Sequence, residues 1–487
     1  MKKFVFFIAG ALLAAIGALT TYNSAYAETV LVNDLTTFKQ YCTSGGDIKL
    51  GADITLTGNT FVKNELSLDL NGHTLNTGGK YFVITSTLNV SDSASGGKIT
   101  GTSYYYFRVG NGGVSGTVIL NSGTVGGYNY DIYVADGEFI MNGGEINSDI
   151  VPVVLVGGDF TLNGGTVKSG DGSAIRGNSD SSVFTMNGGS IITSGDDAAV
   201  NLSKGSKGTM NGGTIEALYA RNEDGSGGNG VVVYKDGEFT LNGGTVHAYS
   251  STLLGNGSIE DGNLSNGSYA KFNINGGTLI SDAATAIYAP QFRGETTITG
   301  GTLRGKLSAI ELRAGDLTIT GGTFIADSEV YDVSLNTSGT TTKGAAIAVS
   351  QHTTKDEINV SICNGQFNAV VPFSEANPIG NDEESISKIS IQIDRSCGEP
   401  TFNASGDQAV FSEDIKGFIR GGTFSTDVTD YIAEGYIEIP RNGMIFVGTP
   451  EDLIDDNPAT GDNIAFYIGG AIAFCATALF AIRVKRR

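Results

Sequence analysis

FTLNGGTVHAYS, from Phe239 to Ser250, sets an Asn-Gly-Gly turn between two short runs in which every second residue is apolar or small. Phe239 and Leu241 lead into the turn and Val246 leaves it. Alternation with a period of two sends every second side chain to one face, which is strand behaviour and not helix behaviour. The triad returns along the chain. Asn142, Asn163, Asn187, Asn211, Asn242 and Asn275 each open Asn-Gly-Gly, and Thr299 and Thr320 open Thr-Gly-Gly in the same frame, at spacings of 21, 24, 24, 31, 33, 24 and 21 residues. A fixed unit with tolerated insertions is the signature of a solenoid.

Each unit carries the same content. Phe139, Met141 and Ile146 bracket one corner; Phe160, Leu162 and Val167 the next; Phe184, Met186 and Ile191 the one after. A second short strand signal lies upstream of the corners, in DIYV at Asp131, AIRG at Ala174, AVNL at Ala199, AIYA at Ala286, AIEL at Ala309 and AIAV at Ala346. Short strands at this density have no room to form hairpins inside one unit, but they can coil. The expectation is an all-β chain, a parallel β-helix with rungs stacked at about 4.8 Å. Inward Phe, Leu, Ile, Val and Met then form columns, each large side chain contributing roughly 1.5–3 kcal/mol by burial. Glycine supplies the positive φ of the corner, and the asparagine amides are expected to stack as a hydrogen-bonded ladder. The triad does not match the calcium-binding glycine-rich nonapeptide, which needs Asp in another frame.

The repeat fades at both ends. LSLDLNGHTL, Leu66 to Leu75, reads as an early rung; before it, DLTTFKQYC has Asp34 as a helix N-cap, with Leu35, Phe38 and Cys42 on one face. GGTF at Gly421 is the last clear corner, and DVTDYIAEGYIEI reads as a short helix stopped by Gly435 and followed by a strand. The solenoid is therefore placed at residues 45–447, about 15 rungs and roughly 70 Å long, after a cap at 28–44 and before an acidic linker at 448–456. These rungs resemble the pectate-lyase-like, right-handed β-helix modules common in bacterial surface proteins. That scaffold carries enzymes, adhesins and passive stalks alike, so it leaves function open.

The termini are addresses. Lys2 and Lys3 precede an apolar run from Phe4 to Leu19, and Ala25 and Ala27 form a small-x-small cleavage site, which predicts a signal peptide over 1–27. At the other end stand Asn457, Pro458, Ala459, Thr460 and Gly461, then an uncharged run over 464–482, then the basic tail 483–487. Nineteen helical residues rise about 28 Å, enough for a transmembrane helix, and the basic tail holds that end in the cytoplasm. The order of motif, span and tail resembles the sorting signal of Gram-positive cell-wall proteins, the substrates of sortase transpeptidases. The resemblance implies that a sortase cysteine attacks the Thr460 carbonyl, releases Gly461 onward and passes the chain to peptidoglycan. Asn457 stands where the commonest pattern has leucine, which leaves the sortase class open. The implied location is the cell wall, with membrane contact only through the anchor before sorting.

Between the predicted cuts, 24 basic residues face 50 acidic ones, a net charge of −26. Such a surface disfavours nucleic acid and anionic membranes as partners. It is compatible with calcium, though no cofactor is expected. Cys42, Cys363 and Cys397 do not make a disulfide framework, and buried unpaired thiols are expected over a Cys363–Cys397 bond.

Catalytic signals are weak. The paired Asp196 and Asp197 in SGDDAAV resemble part of the polygalacturonase signature, and inverting glycoside hydrolysis needs an acid and a base around a water. SGDGSAI from Ser169 and SDAATAI from Ser281 fill the same place in other units, which reduces the pair to turn residues. His73, His247 and His352 stand in unrelated settings, and lyase chemistry with Arg176 or Arg293 as base has no motif behind it. Two insertions, one carrying Asn222, Glu223 and Asp224 and one carrying Asp327 and Glu329, fall at one corner about four rungs apart and are expected to wall a ligand groove. Tyr104, Tyr105, Tyr106, Phe107, Tyr128, Tyr130 and Tyr133 offer rings for stacking on sugars, with strand packing the plainer expectation. The chain is thus expected to be a wall-anchored adhesin or display scaffold for glycans or for host or neighbouring cells, with a polysaccharide-degrading enzyme and a plain spacer as alternatives. Thr460→Ala is expected to move the protein from the wall fraction to the membrane fraction; unchanged wall attachment refutes the sortase assignment.

Overall fold

The computed structural model describes residues 29–455 apart from 128–129, 222–226, 256–268, 290–293, 337–338 and 354. The expected signal peptide with Ala25 and Ala27, the expected sorting motif at Asn457, Pro458, Ala459, Thr460 and Gly461, and the expected anchor all lie outside these residues. Among the described residues no helix is long and apolar enough to cross a membrane.

The chain is all-β, with three long sheets whose strands run parallel from turn to turn, the arrangement of a parallel β-helix. The opening stretch shows how one rung is built. Glu238–Leu241 joins a 15-stranded sheet, the Asn-Gly-Gly corner follows, Thr245–Ala248 joins a second sheet, and Leu253–Gly255 joins a 14-stranded sheet. Fourteen steps of about 4.8 Å give the larger sheet a length of roughly 67 Å. Register is kept without slippage. Phe139 lies beside Phe160, Phe160 beside Phe184, and Phe239 beside Phe272. All five are fully buried or within 1% of it. Further along, Phe324, Phe367, Phe402 and Phe424 stack at 4.7, 4.5 and 4.8 Å between ring centroids, which is the rung spacing itself.

The corner explains both glycines of the triad, each for a different reason. A Cβ on the first, Gly188, would meet the carbonyl oxygen of Asn163 one rung below at 2.7 Å. The second, Gly189, has φ +78, a conformation that side chains resist. With the backbone drawn this close, the asparagine amides line up: Nδ2 of Asn142, Asn163, Asn187, Asn211, Asn242 and Asn275 each donates to Oδ1 of the preceding asparagine at 2.8–2.9 Å, starting from Asn121. Thr299 Oγ1 then donates to Asn275 Oδ1 at 3.1 Å and ends the ladder. The longer units do not interrupt it, because their extra residues leave from other corners.

The caps follow the sequence reading with two additions. Helix α1, Leu35–Ser44, begins where Asp34 accepts from the Thr37 amide at 3.0 Å, and it buries Phe38 and Cys42. Burial pushes the Cys42 thiol up to about 12. The cap at 28–44 also holds a strand, Val30–Val32, which pairs with the strand Gly46–Leu50 and is the first of the 15-stranded sheet. At the far end the helix in DVTDYIAEG is a single 3-10 turn, Thr429–Tyr431. The hairpin Ile437–Arg441 and Met444–Gly448 then pairs antiparallel with Gly422–Phe424 and closes that sheet.

The cysteine expectation is corrected: Cys363 and Cys397 are bonded, with Cα atoms 5.3 Å apart. Cys363 takes the place Thr320 holds one rung earlier, its amide donating to the Ile319 carbonyl as that of Thr320 donates to Ile298. The extra residues of the next corner bring Cys397 over it, which sequence spacing from the nearest phenylalanine does not reveal.

Gly188→Ala is expected to destabilise the chain by about 1–3 kcal/mol, the usual cost of forcing an atom into a filled position. Gly58→Ala, where an added Cβ meets nothing within 4 Å, is the control and should leave the thermal midpoint unchanged.

Candidate functional site

The 14-stranded sheet carries one row of residues on its outer side in unbroken register. Phe61, Val83, Arg108, Tyr133, Val154, Arg176, Asn201, Val232, Leu254, Tyr288, Glu311, Ala348, Ser374 and Phe411 are neighbours from strand to strand. Strand alternation puts their flanking partners, such as Ile132 and Val134, into the core.

The C-terminal part of this row is covered. The insertion that was expected to wall a groove instead forms an antiparallel hairpin, Asp332–Asn336 with Gly339–Lys343. It lies down against the sheet: Thr342 Oγ1 is 3.0 Å from Ser350 Oγ, and the Tyr331 hydroxyl is 2.8 Å from Ser374 Oγ. Glu311, Ala348 and Ser374 are accordingly buried. Glu311 pairs with Arg313 at 3.0 Å with both side chains out of solvent, and Arg313 lies 5.0 Å from the Tyr288 ring centroid. Burial pushes Glu311 up to about 7 against the pull of the arginine. His352 is held below its ordinary value by burial and by Arg313. Both line a crevice with Gln351, Lys355 and Asn381 that has room for about one water. Gln351 bridges Glu375 and Asp414 at 2.9 and 2.8 Å, so the polar groups around it satisfy one another.

Asp327 is taken by Arg304 at 2.6 Å, and Glu329 is exposed next to it. Asn222, Glu223 and Asp224 lie outside the described residues, as do Arg293 and Tyr128. On the Asp327 side the insertion rests on the sheet through the Thr342–Ser350 and Tyr331–Ser374 contacts.

Asp196 and Asp197 are each engaged by an arginine, Asp196 by Arg221 and Asp197 by Arg176 at 3.5 Å. The other histidines each face one carboxylate, His73 that of Asp53 at 3.4 Å and His247 that of Asp282 at 2.9 Å. Among the described residues no three His, Cys, Asp or Glu side chains group as metal ligands.

The N-terminal part of the row is aromatic and carries no hairpin among the described residues: Phe61 is exposed, Arg108 and Tyr133 are half-buried, and Val83 is buried. Tyr81 and Tyr105 lie 4.7 Å apart, Tyr105 and Tyr133 stack at 5.5 Å, and Tyr104 is 60% exposed. Tyr106 and Phe107, from the same cluster, are buried. The Arg108 guanidinium sits 5.5 Å from the Tyr133 ring centroid, and its Nε is buried without a hydrogen-bond partner. On the neighbouring strand, Tyr130–Val134, both carboxyl oxygens of Asp131 are buried and unpartnered. Burial pushes that carboxyl up to about 9, with Asp149 adding a smaller repulsion. Neither residue was singled out from sequence as functional. The legible signal was an acid at the place where other units have Ala174, Ala199, Ala286, Ala309 and Ala346.

Compared with known protein families, curated proteins and solved structures, the chain matches none.

Because the folded value of Asp131 is raised, its protonated form favours the native state. That contribution is complete below the ordinary carboxylate value and is lost as pH rises towards about 9. Asp131→Ala is expected to stabilise the chain at neutral pH by about 1–3 kcal/mol, the cost of an unsatisfied buried polar group. Its gain in denaturant midpoint over the parent should grow between acid and neutral pH; a gain independent of pH refutes the account.

Proposed function

We propose that this chain is a secreted surface protein that displays the outer face of a long β-helix for adhesion, to glycans or to host or neighbouring cell surfaces. The observation that carries the reading is the row of fourteen residues on the smaller sheet, held in register from strand to strand. A flat sheet face repeated at every rung suits contact with an extended surface or polymer. We read the coil as right-handed and pectate-lyase-like, since parallel strands joined by crossovers take that hand in about 98% of cases.

Attachment follows from the sequence. Asn457, Pro458, Ala459, Thr460 and Gly461 form the proposed sortase site, with peptidoglycan as acceptor and the cell wall of a Gram-positive organism as the location. The residues just before it start from the body of the coil, where Arg395 holds Asp452 through two contacts of 2.6 Å. Anchored so, the coil stands close to its point of attachment.

An enzyme on the same scaffold is the competing reading. Arginines on both Asp196 and Asp197 work against it, because each carboxylate is already engaged by a cation rather than free for a substrate. The test is a panel of immobilised polysaccharides. Saturable retention of the secreted chain with no new reducing or unsaturated ends is expected. Release of such ends replaces display by catalysis, and neither retention nor cleavage leaves the spacer.

A further inference from the structure

We propose that Asp131 and Asp149 hold a calcium ion at the corner where the chain enters the smaller sheet, and that the ion fastens two successive rungs to each other. The site is structural and does not depend on the display reading.

Three acidic side chains are buried among the described residues: Asp131, Glu311 and Glu375. Two of them have donors. Glu311 takes the Arg313 guanidinium at 3.0 Å, and Glu375 takes Gln351 Nε2 at 2.9 Å, the Ser412 hydroxyl at 2.7 Å and the Asp414 amide at 3.0 Å. Asp131, fully out of solvent, has no partner for either oxygen. A carboxyl so placed costs free energy unless something supplies the missing partner. The neighbouring charge it feels is that of another acid, Asp149, which stands two residues before the paired strand Val151–Leu155.

Asp149 differs from its own counterparts. It lies one residue past Ser148, and in later rungs the same corner position, one past Ser281 and one past Ala326, is held by Asp282 and Asp327. Each of those has a basic partner, His247 at 2.9 Å and Arg304 at 2.6 Å. The Asp149 carboxylate has no hydrogen bond or ion pair among the described residues and is exposed. Carboxyls from two successive rungs thus lie close enough to repel, with no base between them. A cation there gives the Asp131 oxygens their partner and turns the repulsion into shared attraction.

The donor chemistry selects calcium. Carboxylate oxygens suit a hard cation, and neither Asp131 nor Asp149 is joined by the nitrogen or sulfur ligands that zinc takes. Calcium binds about six to eight oxygens, accepts a bidentate carboxylate, and fills its remaining positions with carbonyls and waters; magnesium demands near-ideal octahedral geometry and dehydrates reluctantly, which suits a solvent-free carboxyl badly. The exposed Asp149 side gives the ion its entry and its waters. Only two carboxylates contribute, so the affinity belongs at the weak end for calcium, about 10⁻⁴–10⁻³ M, the range of extracellular modules.

The test follows the thermal midpoint of the full secreted chain at about pH 8 in EDTA, in about 10 mM calcium chloride and in about 10 mM magnesium chloride. Calcium should raise the midpoint over EDTA by about 1–3 °C, the gain from an ion at about ten to a hundred times its dissociation constant on a chain of this size. Asp131→Asn should abolish the shift. Asp149→Asn, a change at an exposed position, should raise the calcium concentration that gives half the shift by roughly tenfold or more, and it answers for the site if Asp131→Asn loses stability. The stabilisation expected of Asp131→Ala belongs to EDTA, and calcium should narrow it, because only the parent gains. A parent that does not shift, or a shift that persists in both asparagine variants, overturns the site. An equal shift in magnesium overturns the assignment to calcium.

Discussion

At each Asn-Gly-Gly corner the backbone of one rung rests almost on the carbonyl of the rung below. Gly188 has no room for even one added carbon before it meets the Asn163 oxygen. That contact sets the pitch at which everything else must stack. It brings the asparagine amides to 2.8–2.9 Å, places phenylalanine over phenylalanine in the columns, and keeps the parallel ladders in register through units of different length. A slip of one residue would turn every inward side chain outward. Along the asparagine ladder the insertions leave this corner alone; past its end the corner before Thr401–Ala404 takes extra residues.

The outer faces are not bound by the same constraint, and there the protein diverges along its length. Over the later rungs a hairpin covers the smaller sheet and seals Glu311 and Arg313 beneath it. A buried pair of this kind gains little net stability, since desolvation offsets attraction, but its hydrogen bonds fix where the covering strands lie. Over the first rungs no hairpin lies on the sheet among the described residues, and half-buried tyrosines line it. One scaffold thus holds a sealed half and a displayed half.

Asp131 belongs to the displayed half and works against stability. Five other units place alanine there, and the aspartate brings a carboxyl that burial leaves without a partner. Unsatisfied buried polar groups are uncommon in native proteins and tend to mark sites kept for reasons other than folding.

The sequence by itself determined the coil. Period-two alternation, the recurring corner, the Asp34 cap and the closing strand after Gly435 are local patterns, and each unit repeats the evidence of the last. What it left undetermined is whatever depends on which residues the stacking brings together. Cys363 and Cys397 meet because a corner loop shifts one over the other; the residues around Asp327 fold flat because Ser350 and Ser374 lie underneath to receive them. Arg108 comes to lie by the Tyr133 ring because the next rung places that tyrosine beside it. Neighbours along the axis of a solenoid are some twenty to forty residues apart in sequence, with spacings that vary from unit to unit, so their chemistry is fixed only when the rungs close up.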